Sequence, residues 1–144
     1  MNPRRFLGAL VLSAVLAGAA GCSDGDVDKA KDKVRDVAAS ATAAAASKMA
    51  EVKDGADGKA DVTAGATRAD GDRTAVTVTA KNSTAKAADY AVLVNFRDGG
   101  GNLLDSVVLN IGDVAPSASK EGTARSNRSL SGDITAEIGR ALRH

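Results

Sequence analysis

The sequence predicts a mainly β fold, with residues 61–144 forming one small antiparallel sandwich. Three observations carry that reading. Beyond Asp61 the apolar period changes from helical spacing to two, the period of half-buried strands. Turn signals recur about every ten residues, a spacing that marks all-β sandwiches. No helix-length pattern interrupts the run, which disfavours a wound α/β sheet. Ahead of it stand an Ala-rich helical or disordered stalk and the parts of a cleaved signal peptide.

At the N-terminus Arg4-Arg5 precedes an almost wholly apolar run from Phe6 to Leu16, and Ala17-Gly18-Ala19-Ala20-Gly21 then leads into Cys22. A positive segment, a short apolar segment and small residues before a cut make an export signal. The run is shorter than the about 20 apolar residues that a spanning helix needs. Cys22 is the only cysteine of the chain, so no intramolecular disulfide is possible. This order resembles the lipobox of bacterial lipoprotein precursors. The resemblance implies that residues 1–21 are removed and that the sulfur of Cys22 carries diacylglycerol. It further implies a chain held on the extracytoplasmic face of the cell membrane, with the membrane as its partner. Ala19 stands where that family favours Leu. A second reading stays open: cleavage after Ala17-Gly18-Ala19 would release a soluble secreted protein.

Residues 22–60 form the lipidated N-terminus, the spacer and a linker. Val27, Ala30, Val34, Val37, Ala38, Ala41, Ala45, Met49 and Val52 recur three or four residues apart, predicting a helix from Asp26 to Asp54. Aspartates at 24, 28, 32 and 36 alternate with Lys29, Lys31, Lys33 and Arg35 in pairs that support a helix. The apolar stripe is mostly alanine and valine, so its burial yields little, and a solvated spacer helix is expected. A weak coiled coil or a helix lying on the lipid surface is the sharper alternative. Asp54 to Asp61 superficially suggests a calcium loop. Its aspartates are wrongly spaced and no closing glutamate follows, so a flexible linker is expected.

In the sandwich, Val62, Ala64 and Ala66 alternate with polar residues, and Asp70-Gly71-Asp72 turns the chain. Val76, Val78 and Ala80 face one way in the next strand. The strongest strand follows, with Tyr90, Val92, Val94 and Phe96 on one face and Ala91, Leu93, Asn95 and Arg97 on the other. Asp98-Gly99-Gly100-Gly101-Asn102 is a hairpin turn. Leu103, Val107, Leu109 and Ile111 line the return strand around Asp105. Val114 and Pro116 mark a bend, a polar strand runs near Ser119 to Arg125, and a closing strand carries Ile134, Ala136 and Ile138.

Residues 74–138 resemble the FxLyD-type extracellular domain, on Val76-Thr77-Val78, Asn82-Ser83, Tyr90 to Asp98, the glycine turn, Leu104 and Val114-Ala115-Pro116. Val94 stands at the first Phe of that pattern, Phe96 at its Leu, and Ser117 where Gly often follows Pro. The resemblance implies an immunoglobulin-like sandwich, an extracellular setting and no general catalytic site.

Chemistry-bearing motifs are sparse. Lys+Arg 19 against Asp+Glu 18 leaves a formal charge of +1, which gives no basic face for nucleic acid. Aromatics at 2% supply almost no stacking platform for single strands. His144 is the sole histidine, in an expected mobile tail, and a lipidated Cys22 leaves no thiol, so no N/S zinc site assembles. No phosphate loop, G-x-S-x-G or H-E-x-x-H occurs. Asp98 is expected to serve its turn, and Tyr90 to be a core residue with a wet hydroxyl. The sequons at Asn82 and Asn127 matter only in a glycosylating host. Arg125, Arg128, Arg140 and Arg143 make the C-terminal portion mildly basic, enough for weak attraction to anionic headgroups.

The expected function is therefore that of a non-enzymatic surface lipoprotein, without cofactor or metal, presenting a binding or scaffold domain. Edge strands or turns such as 98–102 and 112–118 are its natural contact surfaces. The alternative is an accessory or sensory subunit of an envelope complex, with the stalk pairing with a protein partner.

Overall fold

Runs of valine, alanine and threonine at period two build six long strands between residues 62 and 143 in the computed structural model, which describes residues 24–144, with side chains from 35 on. The elements are α1 (Asp24–Ala50), β1 (Ala56–Asp57), a 3-10 turn (Lys59–Asp61), β2 (Val62–Asp70), β3 (Arg73–Lys81), β4 (Ala88–Arg97), β5 (Leu103–Val114), β6 (Ser119–Arg125) and β7 (Thr135–Arg143). The signal segment and Cys22 lie outside the described residues.

All pairings are antiparallel, in two sheets of order β1-β7-β4-β5 and β2-β3-β6. The fold is the expected small β sandwich. Its connectivity is of the immunoglobulin kind, with β2-β3-β6 as A-B-E and β7-β4-β5 as F-C-C′. The place of strand G, beside β7, is taken by β1 from ahead of the first long strand. The core lies between the sheets: Val76, Val78 and Ala80 of β3 face Tyr90, Val92, Val94 and Phe96 of β4, all 0% exposed.

Four expectations about the elements themselves are corrected. The helix is not a solvated spacer throughout, because Ala38, Ala45 and Met49 are buried. Met49 lies with Ala91 and Leu142 on the outer face of the larger sheet, where Val52, Leu93 and Val108 complete the cluster. Ala91 and Leu93, the outward side chains of β4 in this cluster, are themselves apolar, so an alanine stripe suffices to cover them. Second, residues 54–61 are not a flexible linker. Ala56 and Asp57 pair with Arg143 and Leu142, and Gly58 N–H donates to the Ala141 carbonyl at 3.0 Å.

Third, Ala66 does not continue the inward face of β2. A bulge between Ala64 and Thr67 shifts the register, leaving Ala66 exposed and turning Thr67 inward. Its hydroxyl donates to the Ile134 carbonyl at 2.6 Å. Fourth, the closing strand runs on to Arg143. A second bulge falls at Gly139, where a Cβ would stand 2.7 Å from Asn95 Nδ2. Inward alternation therefore passes from Ala136 and Ile138 to Ala141, and Leu142 turns outward to meet Met49.

Candidate functional site

Inward-turned carboxylates, the ordinary raw material of acid–base chemistry, here serve the backbone and arginines. Asp61, in the 3-10 turn, sits where β3, β4 and β7 meet at one end of the sandwich. Its Oδ2 accepts from Arg143 Nη1 at 3.1 Å, from Ser83 Oγ at 3.1 Å and from the Tyr90 hydroxyl at 3.4 Å. Tyr90 also donates to the Lys81 carbonyl at 3.3 Å. Tyr90 is a core residue as expected, but its hydroxyl bonds to protein rather than standing wet. Burial pushes the phenol above its usual 10.0; the hydrogen bond with Arg143 opposes this and the Asp61 charge adds to it.

At the opposite end, Asp98 serves its own turn. Its Oδ1 accepts the N–H groups of Gly100 and Asn102 at 2.9 Å each, and its Oδ2 accepts from Asn102 Nδ2 at 3.0 Å. These bonds, those of Asn102 foremost, hold the carboxyl below its ordinary 3.8. Because the folded state binds this proton less readily, the contribution to stability is present above the unfolded value and fades as pH falls through the folded one.

Asn82 carries no accessible amide. It is 0% exposed, and its Nδ2 donates to the Lys86 and Val114 carbonyls at 2.6 and 2.8 Å. Its Oδ1 accepts Thr84 N–H at 3.0 Å. One buried amide thus fastens loop 82–87 to the end of β5, a role the sequon pattern concealed. His144 is not in a mobile tail: its N–H and carbonyl both pair with the backbone of Asp89, at 3.0 and 2.9 Å.

The outer edge of β5 is only partly capped, and the sequence pointed to edge strands in general without singling this one out. Asp105, 1% exposed, accepts Asn127 N–H at 2.6 Å and Ser106 N–H at 2.9 Å. Asn127 Nδ2 donates to the Ser106 carbonyl at 3.1 Å, Arg128 Nη2 to the Leu104 carbonyl, and Lys120 Nζ to the Gly112 carbonyl at 2.6 Å. Side chains from beyond the sheet therefore cap the edge at 104, 106 and 112. By strand alternation Val108 and Asn110 direct their backbone groups the same way, and among the described residues β4 is the only strand that pairs with β5. A cleft of about 240 Å³ opens there, with α1 and β6 as walls and residues 106–109 as floor. The only sequence signal was Asp105, a carboxylate on the inward face of an apolar strand.

Among the described residues no group of three or more His, Cys, Asp or Glu is placed to hold a metal ion, and no helix is long and apolar enough to cross a membrane. No family model, curated protein or solved structure matches the chain.

Proposed function

We propose that the chain is a bacterial surface lipoprotein, anchored through Cys22, that presents its sandwich as a non-catalytic binding or scaffold module. The observation that carries this is the order of basic pair, short apolar run, small residues and lone Cys22 at the N-terminus. Two acyl chains hold a water-soluble chain stably at a bilayer where one holds it only marginally. The non-catalytic reading is supported by the carboxylates at 61, 98 and 105, whose oxygens engage arginine, hydroxyl, amide or backbone donors. The FxLyD-type reading gains one point of support. Ser117, where that family often carries Gly, has a φ of 59°, in the region that favours glycine.

For the binding role the open edge at Val108 and Asn110 is the contact surface, suited to an extended segment that adds a strand beside β5. Asn110→Pro removes one edge N–H while leaving the pairing with β4 in place; it abolishes partner binding with little loss of fold if this surface is used.

Metabolic labelling with a fatty-acid probe tests the anchoring. The natural chain takes up label and fractionates with membranes, whereas Cys22→Ala does neither. Equal label in both chains would defeat the proposal. The accessory-subunit reading keeps one favourable observation, Val37, which is 47% exposed on α1. A photo-cross-linker at Val37 that captures one defined envelope protein would favour it.

A further inference from the structure

The geometry points to a fixed stance of the sandwich on the lipid surface: the end bearing turns 98–102 and 126–134 faces the membrane, and the end bearing 82–87 and 112–118 faces away. This rests on the reading of Cys22 as the anchor.

The direction of α1 decides it. Met49 and Val52 lie with Leu142, Ala91 and Val108, whereas the Thr42 hydroxyl lies 3.3 Å from that of Ser106. Moving toward the N-terminus of the helix is therefore moving toward the start of β5. From Ser106 only three residues remain to Leu103, about 10 Å of strand. From Thr42 back to Asp24 the helix has about 27 Å still to run at 1.5 Å per residue. The start of α1 thus clears the 98–102 end of the sandwich, and Cys22 is two residues further on. Because Ala38, Ala45 and Met49 are 4%, 3% and 1% exposed, this rod is seated against the sheet over its last three turns.

The end it points past is a single surface. Thr74 and Ser126 exchange bonds at 2.8 and 3.0 Å, bringing turn 71–72 beside 126–134, and Gly99 lies near Asp133. Its cations are already engaged. Arg73 pairs with Asp72, Arg97 with Glu137 and Arg125 with Asp70, while Arg128 turns onto the Leu104 carbonyl. The weak headgroup attraction expected from the basic C-terminal portion is thereby lessened. The helix, not adsorption, sets the distance between domain and lipid. Of the two turns read from the sequence as contact surfaces, 112–118, fastened by Asn82, is the one presented outward.

The test uses the lipidated full chain in phosphatidylcholine vesicles bearing a headgroup acceptor dye. A donor is placed on Ser129→Cys or on Ala85→Cys, both exposed positions; acylation of Cys22 makes the introduced thiol the only reactive one. The two sites differ in height by about 30 Å, the length of a nine-residue strand. Energy transfer is expected to be several-fold stronger from 129 than from 85. The ratio should persist in high salt and with added phosphatidylglycerol, since the helix rather than adsorption sets the distance. Met49→Asp, which unseats the helix, should collapse it. Fatty-acid label on Cys22 with equal transfer from both sites would overturn the stance alone, and so would stronger transfer from 85. Absence of label on Cys22 would overturn the anchoring and the stance together.

Discussion

The two faces of the β1-β7-β4-β5 sheet are covered in different ways. On the inner face Tyr90, Val92, Val94 and Phe96 meet the valines of β3, branched and aromatic side chains interlocked between two sheets. On the outer face Ala91, Leu93, Val108 and Leu142 meet a helix whose buried contributions are two alanines and Met49. Burying a valine or phenylalanine is worth about 1.5–3 kcal/mol, whereas each methyl-sized group adds about 0.8. The inner face therefore makes the domain. The outer face makes an attachment, and Met49 dominates it.

The largest expected effect tests the inner face. Phe96→Ala leaves a cavity at a fully buried site and should cost about 3–5 kcal/mol in denaturant unfolding, taking both sheets with it. A loss below about 1 kcal/mol would mean that the two sheets are not joined through this residue. Next comes Met49→Ala, expected to cost about 2 kcal/mol, near the low end for a buried methionine. Hydrogen exchange should then quicken in α1 while β4 stays protected. Equal quickening in β4 would erase the distinction between the faces.

Tyr90 allows the inner face to be probed by pH. Its raised pKa means that the folded state holds the phenolic proton more firmly than the unfolded one. The contribution is fully present below pH 10 and is lost as pH rises through the folded value. Tyr90→Phe should cost about 1 kcal/mol at neutral pH for the lost hydroxyl bonds and should flatten the alkaline decline. An undiminished decline would assign it to another group. The smallest effect lies away from both faces. Ser117 holds a left-handed φ in the Ala115–Ala118 turn, whose ends are joined by a 3.1 Å bond. Ser117→Gly relieves that conformation and should raise stability by about 0.5–1 kcal/mol; a thermal scan showing destabilisation would contradict it.

The inner face was legible in the sequence because β4 alternates so cleanly from Tyr90 to Phe96. Two bulges hid the rest. Past Gly139 and past Ala64 the parity reverses, so Ala141 and Leu142 could not be assigned to faces by counting, and β1 is too short to leave a period. Docking of α1 was hidden for another reason. Ala38, Ala45 and Met49 form a stripe equally suited to a spacer, and its partner, Ala91 with Leu93, reads as the solvent side of a two-faced strand. The turn role of Asp98 followed from the glycines beside it. The capped edge of β5 depends on Lys120, Asn127 and Arg128 reaching across from β6 and the loop after it, contacts that no local pattern encodes.

Intact mass of the protein extracted from membranes tests the anchoring most directly. It should correspond to a chain that begins at Cys22 and carries diacylglycerol on the sulfur. A mass matching an unmodified chain that begins at Ala20 would contradict it, leaving a secreted sandwich with a helix on its flank.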